Sequence, residues 1–285
     1  MDKHEVVAVT SQPDRPAGRG LSVTPTPVGL LAREAEVPLF TPHKLDAEFA
    51  ATVAALKPEL LACASYGRIV SRPVLEIEGL KAALNVHPSI LPYYRGATPI
   101  QSALRDGRET TGVTIFWMVQ ALDAGDIAAS VPVQIMASDD FGTLHDKLAQ
   151  AGAKLLLDCA RELSAGTLPR IPQDEHDATY TKPLAKDDLR LDYHRPAAAV
   201  VNQIRSLSPR PGAWLPYEGK RLKILEAKIA QVEPQSKADA GLVYSADGRA
   251  FVKTHPGSIE VLRLILEGKP ESSGAQFAQR VIEKR

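Results

Sequence analysis

Asp46-Ala47-Glu48-Phe49-Ala50-Ala51-Thr52-Val53-Ala54-Ala55-Leu56, followed by Leu60-Leu61-Ala62-Cys63-Ala64, decides the fold class. The first stretch repeats apolar residues at helical spacing. The second is a short apolar run of strand length. The same alternation continues outward in both directions. Upstream, Glu5–Thr10 reads as a strand and Val28–Ala35 as a helix entered at Pro27. Downstream come a strand at Leu84–Val86, helical character at Ile100–Leu104, a strand at Gly112–Met118, and the longest helical pattern at Thr143–Leu163. Strands alternating with helices predict an α/β fold: a mostly parallel sheet with helices on both faces. Ligands of such sheets bind beyond the carboxyl ends of the strands.

After Gly166 the composition changes. Leu168-Pro169-Arg170-Ile171-Pro172-Gln173-Asp174-Glu175 is polar and proline-bearing and reads as a linker. A helix is predicted over Ala197–Leu207. Short β-like pieces follow at Ala213–Leu215, Leu222–Ala227, Gly241–Tyr244, Phe251–Thr254 and Ile259–Leu266, and a terminal helix at Ala275–Glu283. This spacing suggests a small barrel. The predicted division is a catalytic domain over 1–167, a linker over 168–185 and a second domain over 186–285.

Hydrophobic residues at 44% fill a sizeable core, and aromatics at 5% leave most packing to aliphatic side chains. No run approaches the roughly 18 apolar residues of a membrane span, so no membrane association is expected. Cys63 and Cys159 stand far apart and read as buried thiols of a reducing cytoplasm. The net charge of zero hides an asymmetry. Residues 1–185 carry 17 basic and 22 acidic side chains, and residues 186–285 carry 17 and 12. The basic second part points to a polyanionic partner.

Leu84-Asn85-Val86-His87-Pro88-Ser89-Ile90-Leu91-Pro92 carries the chemistry. Strand alternation sends the side chains of Asn85 and His87 to one face. An amide and an imidazole there are suited to stabilising an oxyanion. Ala121-Leu122-Asp123-Ala124-Gly125-Asp126 follows the next strand as a glycine-bearing loop. A carboxylate such as Asp123 near His87 would orient the ring and favour its charged form. From spacing alone, a histidine after a strand is more often a structural hydrogen-bonder, and an Asp-Gly loop is usually only a turn. His4, His43, His145, His176, His194 and His255 are scattered without ligand spacing, so no metal is expected. Trp214 reads as a core residue rather than a stacking platform.

Asn85 through Pro92, continuing through Tyr93-Tyr94-Arg95-Gly96-Ala97-Thr98-Pro99-Ile100, resembles the signature of the folate-dependent formyltransferases, as does Leu122–Asp126. Gln12-Pro13-Asp14-Arg15-Pro16-Ala17-Gly18-Arg19-Gly20 is similar to the branch of that family acting on methionyl-tRNA. Tyr66-Gly67 and Pro209-Arg210-Pro211-Gly212-Ala213-Trp214 are similar to the same branch.

The resemblance implies a Rossmann-like first domain and an OB-like β-barrel that holds tRNA. It implies formyl transfer from 10-formyltetrahydrofolate, a co-substrate, to initiator methionyl-tRNA. Asn85, His87 and Asp123 match the catalytic trio, and Ser89, Ile90, Leu91 and Pro92 the segment contacting the reduced folate. Arg15 and Arg19 match the loop at the tRNA acceptor end. Nothing marks Ser89 as a nucleophile, and its expected role is a backbone or folate contact. A monomer in the cytoplasm is expected. The resemblance also implies a further strand, glycine-bearing loop and helix ahead of Glu5–Thr10, which this chain lacks. The sheet is therefore expected to be less stable than in a version extended upstream. Two alternatives stay open. One is a formyltransferase for another amine, on a sugar nucleotide or glycinamide ribonucleotide, or a formyl-folate hydrolase. The other is a catalytically weak tRNA-binding remnant.

Overall fold

The structure, a computed structural model, describes residues 4–17, 22–231 and 239–282. In chain order the elements are β1 (Val9–Thr10), β2 (Arg15–Ala17), β3 (Ser22–Thr24), α1 (Pro27–Glu34), β4 (Leu39–Phe40), α2 (Ala47–Ala54), β5 (Leu60–Ala64), α3 (Arg72–Leu75), β6 (Ala82–His87), β7 (Arg95–Gly96), α4 (Pro99–Arg105), β8 (Thr110–Trp117), β9 (Ile127–Gln134) and α5 (Phe141–Ala165). They continue with β10 (Tyr180–Thr181), α6 (Ala197–Leu207), β11 (Ala213–Tyr217), β12 (Lys220–Ile229), β13 (Val243–Ala246), β14 (Arg249–Lys253), β15 (Ser258–Leu266), β16 (Glu271–Ser273) and α7 (Gly274–Ile282). Backbone contacts divide the chain into two units. One comprises Met1–His87, Thr114–Ala129 and Lys154–Gln173; the other comprises Pro88–Val113, Ser130–Ala153 and Asp174–Arg285.

In the first unit, local chemistry fixes the helix starts. Thr26 accepts from the Gly29 N–H at 3.0 Å and Pro27 opens α1. Asp46 accepts from the Phe49 N–H at 3.1 Å and caps α2. The main sheet runs β5-β6-β8-β9. β5 and β6 are parallel, with Cys63 opposite Asn85, whereas β6 and β8 are antiparallel, with His87 opposite Thr114. The parallel character thus lies at β5–β6 and in the separate pair β1–β4. Only nine residues separate β8 from its sheet neighbour β9, too few for a parallel crossover between those two strands.

Helices cover both faces. Leu84, Ile115, Trp117 and Cys159 are buried together on one, packed by Leu155, Leu156 and Leu163 of α5. Ala50 of α2 and Val74 of α3 are buried on the other, packed against Leu61 and Met118. Burial pushes the Cys159 thiol up to about 11. Two expectations are corrected here. The first strand is Val9–Thr10 rather than Glu5–Thr10, and upstream Val6 is 59% exposed, with no core to cover it. Cys63 is only half-buried.

In the second unit, an antiparallel sheet curls through the order β11-β12-β15-β14-β13, with β16 added to β15. Irregular register between Ile224 and Ala227 of β12 supplies a bulge for the curl. Its inner face forms one core of Leu215, Leu222, Ile224, Val252, Ile259 and Leu264, closed by Val200, Ile204 and Leu207 of α6 and Phe277 of α7. Trp214 does not join that core, contrary to the sequence expectation. It lies between the inward Ala213 and Leu215, so alternation turns it outward, where the Arg221 guanidinium stacks on its ring at 4.7 Å.

Arg95 is fully buried and donates to both Glu175 carboxylate oxygens at 3.0 and 2.8 Å and to the Tyr180 hydroxyl at 3.0 Å. β10 pairs with β7 beside it. Arg95→Lys keeps the charge but loses the two-pronged pairing. Amide exchange across Thr179–Thr181 should then quicken at least about tenfold, since one charged hydrogen bond is worth ~1.5–3 kcal/mol. Among the described residues, no helix is long and apolar enough to cross a membrane.

Candidate active site

Three of the residues singled out from sequence meet in the first unit. β6 carries Ala83, Asn85 and His87 on the face away from α5, because Ala82, Leu84 and Val86 take the α5 side. Cys63 faces the same way opposite Asn85. The Asn85 side chain is half-buried and makes no hydrogen bond among the described residues, so its amide is available to a ligand. His87 is 4% exposed, and its ring meets Phe116 edge-on at 6.4 Å.

Asp123 arrives from the β8–β9 loop. Its Oδ2 stands 3.7 Å from His87 Nδ1, within ion-pair reach of a charged imidazole and longer than a hydrogen bond. Asp123 takes the left-handed backbone conformation at φ 49°. Two residues on, Gly125 lies so close to the end of β8 that an added Cβ would fall 1.7 Å from the Trp117 carbonyl oxygen. Burial pushes the Cys63 thiol up, and the Asp123 carboxylate adds to that.

Next to the Asp123 loop lies a cleft of about 260 Å³, lined by Leu75, Leu80, Ala83, Met118 and Val119, by the charged Lys81 and Arg170, and by Ala124–Asp126 of that loop. Sequence reading singled out the loop Ala121–Asp126 but not Leu75, Leu80, Ala83 or Val119 as lining a cleft. The signal available was Met118-Val119 running apolar past the end of β8 into a loop. Gln173 was also missed, hidden in a segment read as a linker. Its side-chain amide donates to the backbone carbonyls of Asp123 and Gly125, at 2.9 and 2.7 Å.

The remaining candidates stand apart from this description. Ser89, Ile90, Leu91 and Pro92 belong to the second unit. Ser89 is fully buried and its hydroxyl donates to the Tyr93 carbonyl at 2.6 Å. Leu91 is buried, Ile90 and Pro92 are half-buried, and the Pro92 carbonyl accepts from the Thr179 N–H. Arg15 is exposed at the start of β2, which pairs antiparallel with β3. Arg19 lies outside the described residues. Among those residues, no three His, Cys, Asp or Glu side chains gather as a metal site.

Residues 1–159 match the family profile described as formyl transferase, and residues 183–281 match formyl transferase, C-terminal domain. A methionyl-tRNA formyltransferase of a Sulfurihydrogenibium species is 40% identical over 92% of this chain and 84% of its own length. That of Bacillus pumilus is 39% identical over 96% and 86%. Among solved structures, HypX from Aquifex aeolicus in complex with tetrahydrofolic acid superposes with a TM-score of 0.64 at 18% identity, over 88% of this chain and 44% of that one. Methionyl-tRNA formyltransferase from Clostridium thermocellum gives 0.54 at 19%, over 70% and 86%. These two likenesses speak to the fold.

Proposed function

The chain belongs to the formyl transferase family, and from that premise we propose that it moves the formyl group of 10-formyltetrahydrofolate onto the amine of methionyl-initiator-tRNA. The observation that carries this reading is roughly 40% identity to methionyl-tRNA formyltransferases across both parts of the chain. The catalytic domain is assigned to 1–167, the linker to 168–185 and the tRNA-binding domain to 186–285, supported by the spans of the two family profiles. We take the enzyme to act as a cytoplasmic monomer; sedimentation of the purified chain at the mass of one copy tests the oligomeric part.

The trio supplies the chemistry. The unprotonated acceptor amine attacks the formyl carbon, and negative charge develops on the formyl oxygen. Asn85 donates one hydrogen bond to that oxygen and charged His87 a second. Asp123 holds the imidazole in its charged form and helps water carry a proton from the attacking nitrogen to the departing folate nitrogen. A new carbon–nitrogen bond forms to the acceptor as the one to the folate breaks. No side chain forms a covalent intermediate, and Ser89, with its hydroxyl turned to a backbone carbonyl, is a poor nucleophile. The cleft beside Asp123 is our candidate for the folate ring, and Ser89, Ile90, Leu91 and Pro92 are taken as folate contacts on the family resemblance alone.

Arg15 and Arg19 act on the other substrate, pairing with acceptor-end phosphates. Arg15→Ala and Arg19→Ala should each weaken methionyl-tRNA binding and reduce its salt dependence by about one phosphate contact, leaving folate binding unchanged. Unaltered tRNA affinity would refute that role.

The deciding assay uses the purified chain, labelled formyl-folate and charged initiator tRNA, with uncharged tRNA, free methionine, an amino-sugar nucleotide and glycinamide ribonucleotide as competing acceptors. Formylation of methionyl-tRNA alone is expected. Turnover on a different amine, or tRNA binding without turnover, would overturn the reading.

A further inference from the structure

The segment Pro169–Gln173 was read from sequence as part of a linker, yet it is fastened to the Asp123 loop at three points. That loop spans residues 118–126 between β8 and β9. At its start, Trp117 Nε1 donates to the Pro169 carbonyl at 2.8 Å, and the Arg170 guanidinium stacks on the Trp117 ring at 3.7 Å. At its end, Ile171 and Ile127 exchange backbone hydrogen bonds of 3.0 and 2.8 Å as an isolated bridge. In its middle, the Gln173 amide nitrogen donates to the carbonyls of Asp123 and Gly125. Both hydrogens of one NH₂ group are thereby used on two carbonyls that bracket a single residue, Ala124.

We propose that Pro169–Gln173 is a strap that sets the Asp123 carboxylate against His87, with Gln173 as the positioning residue for formyl transfer. The inference rests on the proposed function for its consequence in rate, but not for its geometry. Asp123 sits at a positive φ, and two residues on Gly125 is pressed against the Trp117 carbonyl, so the loop has one tight path. Gln173 locks that path from outside, at the carbonyl of the residue whose carboxylate meets the imidazole. A glutamine is required because its neutral amide presents two donors on one nitrogen; a carboxylate of the same shape presents none and repels both oxygens.

The test compares the full-length parent with Gln173→Leu and Gln173→Glu. Either folded variant should lose about 10²-fold in kcat, the cost of a misplacement near 1 Å, with KM for methionyl-tRNA unchanged. NMR titration of the His87 ring gives a second readout that needs no turnover. Asp123 from the loop stands 3.7 Å from the ring nitrogen, and Cys63 of the neighbouring β5 lies opposite Asn85 on the same face. Releasing the carboxylate withdraws support for the charged ring, so in Gln173→Leu the ring should titrate at lower pH than in the parent. A folded variant with parental kcat and parental His87 titration overturns the proposal, even if it melts lower. Should the parent not formylate methionyl-tRNA at all, the proposed function fails while the titration still decides the strap.

Discussion

His87→Ala should reduce formyl transfer to methionyl-tRNA by about 10²–10³ in kcat, equivalent to ~2.7–4 kcal/mol of lost transition-state stabilisation. KM should barely move, because the hydrogen bond from the imidazole strengthens only as charge develops on the formyl oxygen. Asn85→Ala should fall in the same range, and the double variant should lose less than the product of the two, since both groups serve one oxygen. His87 is 4% exposed, so circular dichroism must first establish that each variant folds. A folded His87→Ala chain with near-parental turnover would remove the ring from the mechanism.

Gly125→Ala should have an effect nearly as large through the backbone. The added methyl would lie 1.7 Å from the Trp117 carbonyl oxygen and 2.9 Å from its carbon, and neither belongs to a flexible side chain. The loop must shift, and forced repacking of this kind costs about 1–3 kcal/mol. The shift also carries Asp123 away from His87 and breaks the Gln173 bond to the Gly125 carbonyl. A lower melting temperature is therefore expected together with an activity close to that of Asp123→Ala. Retention of both properties would mean that this loop tolerates movement and that its tightness is incidental.

Much of the fold was legible because it depends on local signals. α6 spans Ala197–Leu207 and β5 spans Leu60–Ala64, as their apolar spacing predicts, and α2 begins where Asp46 can cap it. The facing of Asn85 and His87 followed from the two-residue period of a strand. Elements that depend on distant partners were not legible. β2 and β3 pair antiparallel inside a stretch that reads as a loop, because Pro16 disguises a strand. β9 was missed because Pro132 interrupts it. Trp214 was misplaced because its size outweighed its neighbours; Ala213 and Leu215 turn inward, and that fixes it outward. Gln173 was invisible because its meaning lies in two carbonyls roughly fifty residues upstream.

That separation matters while the chain is being made. Translation delivers β6 and the Asp123 loop long before Pro169–Gln173, with all 25 residues of α5 between them. A nascent polypeptide still short of Gln173 owns the imidazole and the carboxylate but not the amide that braces them. Competence for transfer should therefore arise late in synthesis, as a single step, once the segment after α5 has left the ribosome.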